Sequence, residues 1–220
     1  MAVLLGVLVS CWNVQQSWAD SPLTSTDLSL AYADSPLLAR ALEAGLDEQL
    51  CAALVEPKVG FGERAAVIQA LGWSLTGQAH AASLLDYIAR QRGVSAASLE
   101  LQSFSAEELF SLGFLLAMDH YQTLQPMGGE GALSRVTPAE FLSAARAKAA
   151  QSFTVQFVEA MVLSQQAMHQ DWCAVYRLLS GADEGFVGER DLQEASVESV
   201  RSYARLFASE CVNPRPVAGP

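Results

Sequence analysis

From about residue 35 onward, apolar side chains recur at intervals of three and four, the period of one helix face, and no run alternates as a half-buried strand would. Ser35-Pro36 reads as an N-cap followed by proline at the first helical position. Leu37, Leu38, Ala41 and Leu42 lie inside that segment, and Gly45 closes it. Asp47 opens a second short helix that runs through Leu54 and ends by Pro57. A third, from about Glu63 to Thr76, sets Ala65, Ile68, Leu71, Gly72 and Leu75 along one face, with Gly77 as its stop. The fourth carries Ala81, Leu84, Leu85 and Ile88 and ends at Gly93.

Two later starts carry the strongest local signal. Ser105-Ala106-Glu107-Glu108 and Thr137-Pro138-Ala139-Glu140 each match the capping box, in which hydroxyl and carboxylate satisfy two otherwise orphaned amides. The helix after Ser105 places Leu109, Leu112, Leu115 and Met118 on one stripe, with Phe110 and Phe114 beside it. The glycine-rich stretch from Gln125 to Gly131 is a surface loop. The helix after Thr137 reaches about Ala150. Further helices span about 153–168 and 171–180, the latter closed by Gly181, and a last one runs from about Glu189 to Cys211. The expected fold is therefore all-α, an irregular multi-helix bundle or short stack of helical hairpins with eight to nine helices and no sheet. It forms a single domain over 35–212, preceded by a flexible linker over 20–34 and followed by a disordered tail over 213–220.

Composition sharpens this picture. The chain has 220 residues, of which 51% are hydrophobic, enough for one well-filled core. Thirteen Lys and Arg against 24 Asp and Glu leave a net charge of −11, which repels phosphate backbones and argues against a nucleic-acid partner. The acids gather at Glu184, Glu189, Asp191, Glu194 and Glu198, a solvated face suited to a basic partner.

The N-terminus carries an address. Residues 1–10 are apolar or small, and Ser17-Trp18-Ala19 supplies a small-x-small cleavage site, so residues 1–19 read as an export signal. Leu8-Val9-Ser10-Cys11 resembles the lipobox of bacterial lipoproteins, which would make Cys11 an acylated first residue and the only membrane attachment. The expected location is periplasmic or membrane-tethered in a bacterium, or cytoplasmic if the segment is no signal. In an oxidising compartment Cys173 and Cys211, on two late helices, are the candidate disulfide. The competing reading makes Cys51, Cys173 and Cys211 three small core residues.

No complete catalytic motif emerges. Gly60-Phe61-Gly62-Glu63-Arg64-Ala65 fits the dinucleotide-binding turn, but Pro57 and two charges spoil the strand that must precede it. Gly72-Trp73-Ser74-Leu75-Thr76 starts like a nucleophile elbow and lacks its final glycine. None of His80, His120 and His169 has Glu three residues earlier, which removes the di-iron pattern of helical bundles. Small and aromatic residues between 66 and 89 are spaced like a tetratricopeptide hairpin, but the only weak copy, at 158–181, is 92 residues away. Asp119-His120-Tyr121 is the most reactive grouping, although neighbours on a helix point about 100° apart.

The sequence therefore assigns no catalytic residue, metal or cofactor. It points to an exported helical protein that docks on another protein. The first alternative is a carrier or sensor of a small apolar ligand, and the second is an enzyme using Asp119, His120 or His169. Phe110 and Phe114, joined by Trp73 and His120, are the candidate lining of a groove for partner or ligand.

Overall fold

The computed structural model describes residues 21–73, 78–168 and 170–212. The export signal, Cys11, His169 and the tail over 213–220 lie outside the described residues. Among the described residues the chain forms nine α-helices and no strand. They are α1 (Pro36–Ala44), α2 (Glu48–Val55), α3 (Phe61–Gly72), α4 (His80–Arg92), α5 (Ala106–Asp119), α6 (Pro138–Lys148), α7 (Phe153–Met168), α8 (Trp172–Glu184) and α9 (Glu194–Arg205).

Helices start where local chemistry satisfies their free amides. The Ser35, Asp47 and Asp171 side chains accept from Leu38, Leu50 and Ala174 amides, and both capping boxes form in full. Gly93 ends α4 in the left-handed conformation.

Three helices make the centre. α3, α5 and α7 touch one another and are buried nearly all round, while the other helices pack outside them. Helices apolar on every side belong in such an interior, and amphipathic ones on its periphery. α6 crosses α5 closely because Gly113 has no side chain: a Cβ there would stand 2.8 Å from Cβ of Phe141. The second close approach is Gly62 in α3, where a Cβ would strike the Tyr32 hydroxyl and the Asp191 carbonyl. The glycines of the dinucleotide-like motif thus serve packing and the start of a helix.

Arg64, fully buried, acts within this frame. It donates from Nε to the Leu54 carbonyl at 3.0 Å and from Nη2 to the Glu56 carbonyl at 2.8 Å, satisfying carbonyls at the end of α2. Burial pulls its guanidinium pKa down to about 10.

Three expectations need correction. The segment expected to be a flexible linker is packed over residues 21–34, with Leu23 and Leu28 fully buried. Gln69 of α3 donates to the Leu23 and Thr26 carbonyls and accepts from the Leu28 amide, while Ser196 of α9 donates to the Leu28 carbonyl. Gly181 does not close α8, which continues to Glu184 because Arg190 and Arg201 hold Asp183 in its last turn. The long terminal helix is shorter than expected: α9 stops at Arg205, and a 3-10 turn at Ala208–Cys211 brings Cys211 back to α8.

Candidate functional site

α5 ends at Asp119, with His120 as its C-cap. The end of α3 lies beside it, since a Cβ on Gly72 would meet the Met118 side chain. Trp73, 41% exposed, and half-buried His120 therefore occupy the same end of the bundle.

Asp119 turns inward there, its side chain only 2% exposed. α4 begins after Ala79, which offers no capping side chain. Asp119 supplies the cap from another helix, accepting from the Ala81 amide at 2.9 Å through Oδ2. Its Oδ1 faces Nδ1 of His80 at 3.4 Å, outside good hydrogen-bond geometry. The sequence offers His80 only as a histidine without the di-iron spacing, and its pairing with Asp119 leaves no local trace beyond a helix start without a cap. His120 and Tyr121, by contrast, are not drawn into this pair.

Phe110 and Phe114 require the opposite correction. Both are fully buried and line no surface groove. Phe110 meets Phe61 edge-on at 5.3 Å between ring centroids and Phe114 at 6.0 Å, so the helix side expected to be open is covered by α3.

A cavity of 160 Å³ opens where the chain leaves α5, between residues 122–124, the start of α6 and the last turns of α7. Gln165 of α7 is its deepest polar group, 4% exposed and fixed through Oε1, which accepts from the Ser21 hydroxyl. Leu124 stands on its wall with φ +47°, the only non-glycine residue at positive φ among those described.

Cys173 and Cys211 are joined in a disulfide that ties the 3-10 turn to α8, with Cα atoms 4.7 Å apart. Beside it Trp172 and Phe207 stack at 5.5 Å, their planes 7° apart. Leu206, 67% exposed, precedes Phe207, and Val212, 78% exposed, follows Cys211. Cys51 is buried in α2, and burial pushes its thiol up to about 11, leaving almost no thiolate near neutrality.

Among the described residues no three His, Cys, Asp or Glu side chains are grouped to hold a metal ion, and no helix is long and apolar enough to cross a membrane. No family model, curated protein or solved structure matches the chain.

Proposed function

We propose that the protein is an exported helical module that acts by docking on another protein, with the apolar surface around the Cys173–Cys211 disulfide as its contact. The observation that carries this reading is the pairing of exposed Leu206 and Val212 with a covalent closure. Exposed apolar side chains held on a fixed backbone lose little freedom on binding, which is how anchors gain affinity. The disulfide supports export, because such bonds persist in oxidising compartments. A net charge of −11 steers the module toward basic partners and away from nucleic acid.

The test is photo-crosslinking in the native host, with the reactive group placed at position 206 or, as control, at exposed position 140 on α6. A discrete adduct from 206 alone, lost when Val212→Asp is added, is the expected result. Equal labelling from both positions, or none, overturns the docking face. The mass of the recovered chain tests export separately: a start at Cys11 with acyl mass, or at Asp20, supports it, and an unprocessed Met1 overturns it.

A further inference from the structure

We propose that the cavity between the end of α5, the start of α6 and α7 is a binding site for a small neutral polyhydroxylated molecule of monosaccharide size. This site lies apart from the docking face and does not depend on it.

The chemistry of the walls selects the class. Among the described residues no charged side chain lines the cavity, so phosphates, carboxylates and amines would enter without a counter-charge. Polar groups come from separate elements: Gln122 and Thr123 from the chain after α5, and Gln165 and Gln166 from α7. Each amide offers both donor and acceptor. Between them Leu124, Pro138 and Val162 form an apolar wall. A sugar has the matching character, with hydroxyls around its rim and C–H groups on its faces.

Gln165 marks the position as built. It is nearly buried, its Oε1 is committed to Ser21, and its Nε2 has no hydrogen bond among the described residues. This donor is accessible from the cavity and is open to a hydrogen-bond acceptor that enters it. Thr137 contributes shape alone, since its hydroxyl is engaged with Glu140.

Leu124 supplies the second mark. Leucine enters the left-handed region only when its surroundings impose it, and such residues gather at ligand sites. Here the Leu124 amide donates to the His120 carbonyl at 2.7 Å, which fixes the turn and sets the side chain on the cavity wall. The volume equals that of about five waters at ~30 Å³ each. A molecule rich in hydroxyls can reproduce their hydrogen bonds while covering the apolar wall, which a simple hydrocarbon cannot do.

The experiment titrates the full isotope-labelled chain with methyl α-D-glucopyranoside while following the Gln165 side-chain amide and the Thr123 and Leu124 backbone amides by NMR. Gluconate and glucosamine serve as charged counter-probes. Saturable shifts at these three positions are expected with the neutral sugar, with at least about tenfold weaker binding of either charged probe. Gln165→Glu keeps the acceptor for Ser21 and removes the free donor, and should weaken binding about tenfold, the effect of one lost hydrogen bond. Ala139→Phe fills the cavity from the half-buried face of α6 and should abolish the shifts in a chain whose remaining spectrum is unchanged. Absence of saturable shifts in the unaltered chain, equal shifts in Ala139→Phe, or equal binding of the charged probes overturns the proposal.

Discussion

α5 and α9 are similar in length and opposite in how they are held. From Leu109 to Met118 every residue of α5 is buried, so neighbours on all sides fix it. α9 buries a narrow stripe, chiefly Val197, Val200, Tyr203 and Ala204, and turns charge outward. Arg201 bonds Asp183 at 2.8 Å, Glu194 at 2.9 Å and Glu198 at 2.8 Å, and Glu198 also pairs with Arg205. Those hydrogen bonds from Arg205 and Arg201 hold the Glu198 carboxyl down to about 2. Exposed ion pairs add little stability singly. What secures this margin is the combination of the stripe, the partly buried carboxylate of Asp183 and the disulfide just beyond the helix. A central helix thus depends on packing volume, and a peripheral one on discrete links that can be cut individually.

Cutting each in turn should give graded effects. Phe114→Ala removes a fully buried ring from α5 and should destabilise by about 3–5 kcal/mol, since the surroundings cannot collapse fully into the void. Chemical denaturation reads this as a lower midpoint with the slope retained. Cys211→Ser opens a link between residues 38 apart and should lower stability by about 2–4 kcal/mol. Its amide exchange should rise in α9 and the 3-10 turn well before α5, and equal acceleration in both would remove the distinction drawn here.

Asp183→Asn should cost about 1–2 kcal/mol, discounted because Arg190 and Arg201 are partly exposed, and lower the melting temperature by roughly 2–4 °C per kcal/mol. Burial alone would raise the Asp183 pKa, but Arg201 and Arg190 outweigh it and leave the carboxyl below its ordinary value. Its stabilisation is therefore complete above the ordinary carboxylate pKa of about 4 and fades as pH falls through the lower folded value. The difference in melting temperature between the two chains should stay constant from about pH 5 to 8 and close on further acidification.

The sequence made some of these features legible and hid others for identifiable reasons. Ser105–Glu108 and Thr137–Glu140 announce helix starts because a capping box is complete within four residues. The packing of residues 21–34 leaves no such trace: its polar composition suggests a linker, yet its backbone partners are Gln69 and Ser196, 41 and 168 positions from Leu28. Phe110 and Phe114 were visible as aromatic neighbours, but periodicity cannot say whether a second helix covers their side. The His80–Asp119 contact joins residues 39 positions apart, and nothing local to Asp119 reveals that it caps α4. The Gln165 cavity is similarly composite, drawing its walls from three separate stretches.

The clasp on the N-terminal segment also sets a distance. Because Ser21 already binds Gln165, the chain has no slack beyond that point. If Cys11 carries the acyl chains, only nine residues lie between it and Ser21, a contour of at most about 35 Å from one to the other. The domain would then ride close against the bilayer and meet partners at that surface, since this greatest reach is no longer than the membrane is thick.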